Sequence, residues 1–158
     1  MNLTEQLQKA KTLAYEAHNG QMYGDKPYTY HLHNVASSAD KLYLYANKSM
    51  GVDVGTFFML LRTACYIHDA VEDSWVTKEY LLEQGFYPEV VNAVDLVTKK
   101  EGLSYKDYLR NLSKDELAWK VKVADTYSNL TESIKISDVK RVRKYSTQLE
   151  LLYKFKDF

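Results

Sequence analysis

Phe57-Phe58-Met59-Leu60-Leu61-Arg62-Thr63-Ala64-Cys65-Tyr66-Ile67-His68-Asp69-Ala70-Val71-Glu72-Asp73 is the stretch whose reading sets the architecture. Apolar residues stand on nearly every side of a 3.6-residue period, which predicts a central helix from about Val54 to Val71 packed by others. Its carboxyl end carries His68 and Asp69, and the helical repeat stacks Glu72 over His68 and Asp73 over Asp69. Four titratable groups thus crowd the end of an apolar helix. Turned inward without a partner they would be costly to desolvate, and a divalent cation would neutralise them. A His-Asp pair alone is equally the solvated end of a helix, so the reading depends on what lies on either side.

On the amino side, Asn2 with Glu5 has the spacing of a capping box for a helix through Leu7, Ala10, Leu13, Ala14 and Ala17, stopping near Asn19-Gly20. The segment from Met22 to Tyr30 holds Gly24, Asp25 and Pro27 and reads as a connecting loop, followed by a helix from about His31 to Tyr45. On the carboxyl side, Thr77 caps a short helix ending at Gln84-Gly85, and Pro88 fits the first turn of another running to about Val97. Ser104 caps a further short helix. Ser113 with Glu116 reads as a capping box for a helix through Trp119, Val123, Ala124 and Leu130, with Asp125 and Asn129 in its middle. A last helix, from about Asp138 to Lys156, sets Val142, Tyr145, Leu149 and Leu152 along one stripe. With only two prolines and six glycines in between, the prediction is an all-α, compact multi-helix bundle around a central apolar helix.

The 158 residues suit one domain spanning 1–158, and 46% hydrophobic against 27% charged residues is a globular balance. Lys plus Arg and Asp plus Glu number 21 each, so no broad basic face exists to hold a nucleic acid polymer, and an anionic ligand must be met locally. The single cysteine, Cys65, lies in the apolar run and reads as core. No apolar stretch is long enough to span a membrane, and Met1-Asn2-Leu3-Thr4-Glu5 lacks a signal pattern, so a cytoplasmic protein without a membrane partner is expected.

Two distant segments complete the pattern begun by His68-Asp69-Ala70-Val71-Glu72-Asp73. One is Ala17-His18-Asn19-Gly20-Gln21, then Pro27-Tyr28-Thr29-Tyr30-His31 and Val35-Ala36; the other is Val121-Lys122-Val123-Ala124-Asp125 with Asn129-Leu130. In this order, and with Val97-Thr98-Lys99 between them, they resemble the HD superfamily of metal-dependent phosphohydrolases. The specific likeness is to the alarmone hydrolase domains of the Rel/Spo stringent-response enzymes and their small single-domain relatives.

That resemblance implies His31, His68, Asp69 and Asp125 as metal ligands, manganese as the metal, and Glu72 and Asp73 as the catalytic acidic pair, their division into acid and base left open. Independently, two imidazoles and two carboxylates form a mixed nitrogen and oxygen set that suits a six-coordinate divalent ion with positions left for water and phosphate. Asn129, one turn after Asp125, is expected to bond substrate or hold the metal shell. Lys122 faces phosphate or solvent. Arg143, in a basic run with Arg141 and Lys144, is a candidate phosphate contact. The arginine that the family carries in the loop after Gly-Gln has no counterpart in Met22-Tyr23-Gly24-Asp25-Lys26, where Lys26 offers charge and Tyr23 a ring for stacking. His33 points to another helix face than His31, and His18 is expected to fix the loop carrying Gln21. The implied activity is that of a stand-alone hydrolase of a small nucleotide, removing the 3′-pyrophosphate of guanosine-3′,5′-bis(diphosphate). The alternatives are a phosphatase of other specificity, acting on NADPH or a nucleoside monophosphate, and a non-catalytic nucleotide-binding protein.

Overall fold

The computed structural model describes residues 1–44 and 54–158. Helix α1 (Leu3–Ala17) opens on the expected capping box: Asn2 Oδ1 accepts from the Glu5 amide at 2.9 Å, and the Glu5 carboxylate accepts from the Asn2 amide at 2.8 Å. It buries Leu7, Ala10, Leu13 and Ala14, and the chain then reverses at Gly20, whose φ of +80° suits a residue without Cβ.

The segment read as a loop is instead a small hairpin. Strand β1 (Met22–Tyr23) pairs antiparallel with β2 (Lys26–Pro27), setting Met22 opposite Pro27 and Tyr23 opposite Lys26. Gly24, at φ +59°, makes the reversal. Pro27 ends the pairing because it has no N–H, and its fixed φ of −57° leads straight into α2 (Tyr28–Ala39). That helix therefore begins three residues before the predicted start at His31. It loosens into a π-helical turn, Asp40–Leu44, and the predicted end at Tyr45 lies outside the described residues.

Helix α3 (Val54–Ile67) is the predicted central helix, packed against α1, α2, α6 (Pro88–Val97) and α8 (Glu116–Lys135). Leu61, Ala64, Cys65 and Ile67 are fully buried there, so Cys65 is core as expected. The helix stops at Ile67, four residues short of the prediction. His68 Nδ1 donates to the Cys65 carbonyl at 2.8 Å, occupying an acceptor that a continuing helix would offer to the Asp69 amide. After that break, Ala70–Asp73 forms a separate single turn, α4, closed by the Asp73 amide on the Asp69 carbonyl at 2.9 Å. Glu72 and Asp73 sit on this turn, not on a continuation of α3.

Thr77 caps α5 (Lys78–Glu83), Pro88 opens α6, and Ser104 caps α7 (Tyr105–Leu112), all as expected. The cap of α8 is different. Asp115 Oδ1 accepts from the Ala118 amide at 2.8 Å, whereas Ser113 turns back to donate to the Leu109 carbonyl at the end of α7. A carboxylate at a helix amino end gains from the macrodipole as well as the hydrogen bond, which favours Asp115 as the cap. Asp138 caps α9 (Val139–Phe155), which lies along α8 and is tied to it by Trp119 Nε1 donating to the Leu152 carbonyl at 2.8 Å. The architecture is all-α apart from the hairpin. Among the described residues no helix is long and apolar enough to cross a membrane.

Candidate metal centre

The elements that meet at the middle of the bundle each bring one or two chemically active side chains. Helix α2 presents His31, the break after α3 presents His68 and Asp69, and the middle of α8 presents Asp125. His31 and His68 are 2% exposed and Asp125 is 6% exposed. His31 Nε2 lies 3.1 Å from Asp125 Oδ1 and 3.9 Å from Asp69 Oδ2, while His68 Nε2 lies 3.0 Å from Asp69 Oδ2 and 3.6 Å from Asp125 Oδ1. Residues 31, 68, 69 and 125, far apart in the chain, therefore converge. One ligand atom each from His31, His68 and Asp125 lies within 4.8 Å of the others.

Two observations test whether this set fits a divalent cation. His68 Nε2 is buried and makes no hydrogen bond of good geometry among the described residues, even with two carboxylate oxygens nearby; its Nδ1 is committed to Cys65. An imidazole whose remote nitrogen donates to a carbonyl has its other nitrogen turned toward a ligand position. Electrostatics agree. Burial opposes charge on His68, yet Asp69 and Asp125 pull its pKa well above the ordinary range. Burial likewise pushes Asp125 up, but Lys122 and the two histidines hold it well below the usual carboxylate range. The centre is thus built to have positive charge between its carboxylates, and its nitrogen and oxygen donors suit a divalent ion.

Around this cluster both oxygens of Asp125 and Oδ2 of Asp69 have an orienting partner. Asn129 Nδ2 donates to Asp125 Oδ1 at 2.8 Å, Lys122 Nζ lies 2.9 Å from Asp125 Oδ2, and the Tyr28 hydroxyl donates to Asp69 Oδ2 at 2.7 Å. Such second partners fix ligand rotamers before anything binds. The ring of Tyr23 lies flat on His31, centroids 4.7 Å apart and planes 8° from parallel.

A cavity of about 420 Å³ opens above the cluster. His31, Asp69 and Asp125 form its floor; Glu72 and Asp73 stand at its rim; and Lys99, Lys122, Arg141 and Lys144 bring four cationic groups to its wall. Asp69, Glu72 and Asp73 also offer oxygens within 4.8 Å of one another, so Asp69 links the buried cluster to the exposed rim. Glu72 Oε1 accepts from the Lys99 amide at 2.9 Å. The Asp73 carboxyl is pushed up by burial, with the charges of Asp69 and Glu72 adding to the effect. Its backbone carbonyl accepts from Gln21 Nε2 at 2.8 Å, and Gln21 Oε1 in turn accepts from His18 Nδ1 at 2.8 Å. His18 thus fixes Gln21, as expected.

Other expectations need correction. Lys122 does not face solvent: it is paired with Asp125 inside the cavity. Asn129 holds Asp125, the second of the two roles expected for it. Lys26 is exposed on β2 and does not line the cavity, which Tyr23 of the same hairpin does. Arg143 is also exposed and off the cavity wall; Arg141 takes the place assigned to it. Two residues along a helix turn the side chain by about 200°, so only one of the two arginines can face inward. His33 lies away from the centre, bonded to the hydroxyls of Tyr15 and Tyr66. Sequence reading missed Tyr28 as the partner of Asp69, and Lys99, Tyr105 and Gln148 as wall residues. The spacing of Arg141, Lys144, Tyr145 and Gln148 on the face of the Tyr145-Leu149-Leu152 stripe was the available signal for the α9 wall.

No protein-family model and no curated protein sequence matches the chain. Among solved structures it is similar to a metazoan orthologue of SpoT, a protein that hydrolyses ppGpp and plays a role in starvation responses. The TM-score is 0.68 at 21% sequence identity, over 93% of this chain and 85% of that one. The two chains share an all-α fold, the fold class that the apolar periodicity predicted.

Proposed function

We propose that the protein is a metal-dependent phosphohydrolase of phosphorylated nucleotides, with guanosine-3′,5′-bis(diphosphate) as substrate and its 3′-pyrophosphate as leaving group. The observation that carries this reading is the cluster of His31, His68, Asp69 and Asp125 at the base of a cavity whose wall carries four cationic groups. Floor and wall suit different parts of such a substrate. His31, His68, Asp69 and Asp125 would hold the ion, manganese by the family likeness. When bound, that ion supplies Lewis acidity, lowering the pKa of water and drawing charge from a phosphoryl oxygen.

The chain's own groups do the rest. Lys99, Arg141 and Lys144 bind phosphate oxygens and orient the phosphorus over the floor, while Lys122 keeps Asp125 ionised. Water attacks the phosphorus attached to the 3′ oxygen, the bond from that phosphorus to the 3′ oxygen breaks, and guanosine 5′-diphosphate and pyrophosphate leave. Glu72, anchored by the Lys99 amide, accepts the proton of the attacking water. Asp73, at the same rim, is the group placed to return a proton to the departing 3′ oxygen, and partial burial and the charges of Asp69 and Glu72 shift its carboxyl in the direction that role needs.

A second reading is supported by the hairpin. The 22–26 segment has no arginine where the resembled family carries one in this loop, and Lys26 is exposed and off the cavity, so a guanine-specific contact from this segment is lacking. The chain would then be a phosphatase of another nucleotide, such as NADPH or a nucleoside monophosphate. Chromatography of products from the manganese-loaded protein separates the readings. Equimolar guanosine 5′-diphosphate and pyrophosphate support the first, and orthophosphate from other nucleotides supports the second. Binding of nucleotides with no turnover of any would overturn both and leave a non-catalytic binding protein.

A further inference from the structure

Tyr23 makes more contacts with the centre than its place on a two-residue strand requires. Its ring covers one face of His31, its hydroxyl donates to Asn129 Oδ1 at 2.7 Å, and the same hydroxyl accepts from Arg141 Nη2 at 3.1 Å. Asn129 passes the chain on, donating to Asp125 Oδ1 at 2.8 Å. The donors all run one way, from Arg141 through Tyr23 and Asn129 to Asp125, an arrangement in which each bond polarises the next. The guanidinium also lies 5.7 Å from the Tyr23 ring centroid, so Arg141 is held by charge as well as by the hydrogen bond. One side chain from the hairpin therefore touches two of the four proposed ligands, one by stacking and one through an amide, and connects both to the cavity wall.

We infer that Tyr23 is a positioning residue for the metal centre: its ring sets the plane of His31, and its hydroxyl locks Asn129 onto Asp125. The inference rests on the metal-site reading above. It differs from mere packing because a flat contact at 8° restrains rotation of the imidazole, which an aliphatic side chain of similar bulk does not do. Partners of this kind are worth about 10-fold or more in metal affinity when removed.

The test is manganese binding to the free protein, followed through the EPR signal of unbound Mn²⁺, in wild type, Y23F and Y23L. Y23F keeps the ring and loses the hydroxyl; Y23L keeps apolar bulk and loses the plane. Y23L is expected to weaken binding by about 10-fold or more, and Y23F by about threefold, so that the ring restores most of the loss. Thermal unfolding in the presence of a chelator reports whether each variant folds. A folded Y23L that binds Mn²⁺ as tightly as wild type overturns the inference. A Y23F as weak as the expected Y23L overturns the part assigned to the ring, a Y23F as tight as wild type overturns the part assigned to the hydroxyl, and both arms stand even if Y23L fails to fold. Wild type that binds no Mn²⁺ at all would instead refute the metal-site reading on which the inference depends.

Discussion

The floor and the mouth of the cavity are made differently. The floor draws its residues from α2, the end of α3 and the middle of α8, helices packed on one another through the core. Its side chains are buried, Asp69 in part, and each carboxylate has a fixed partner. The mouth is made of a short hairpin, a single-turn helix and the amino half of α9, and Glu72, Asp73, Lys99 and Lys144 there are exposed. A group that must hold its geometry within tenths of an ångström benefits from the first environment; a group that must admit substrate or exchange protons needs the second. On the proposed reading, the metal chemistry falls to the packed part and discrimination between nucleotides to the exposed one.

The contrast can be broken most severely at the floor. Asp69→Ala should abolish manganese binding and turnover together, since it removes a proposed ligand and leaves the Tyr28 hydroxyl without its acceptor; metal content by elemental analysis alongside an activity assay would show it. At the boundary, Glu72→Gln should lower turnover by roughly 10²-fold with metal content intact, because the amide still accepts from the Lys99 amide but takes no proton. Equal metal loss in both variants would refute the separation of floor and rim. At the mouth, Arg141→Gln should raise KM by about 10-fold, the equivalent of one charged hydrogen bond to phosphate, while Arg143→Gln leaves steady-state kinetics unchanged.

Away from both regions the effect should be smallest. Burial pushes the Asp95 carboxyl up, but Lys100 and Lys78 outweigh it and hold its pKa below the ordinary value. A depressed carboxylate adds stability at pH above its unfolded pKa and loses it as pH falls through the folded one. Asp95→Asn should therefore cost less than about 1 kcal/mol at pH 7, given the exposure of both lysines, and the difference from wild type should shrink as pH falls through and below the ordinary carboxylate range. Urea unfolding at several pH values reads this directly.

How much of this could be read from residues alone follows the same division. The meeting of His31, His68, Asp69 and Asp125 was legible because metal ligation would impose residue type and spacing, and because α2, α3 and α8 each carry an apolar period around them. The break at His68 was not legible: a side chain capturing the Cys65 carbonyl leaves no trace in periodicity. Nor was the choice between Ser113 and Asp115 as a cap, since both residue types cap well and only the path from α7 decides. Choosing Arg143 over Arg141 was an error of helix phase. Tyr145, four residues after Arg141 on the same stripe, already marked which arginine turns inward. The hairpin escaped because two residues per strand are too few for alternation to show.

One consequence of the His31, His68 and Asp125 arrangement concerns the whole chain. An ion clasped there would staple together segments drawn from the early, middle and late parts of the sequence, closing loops that thermal motion would otherwise open. Loading with metal would then act as a latch against unfolding, slowing proteolysis across the bundle and not only near the cavity.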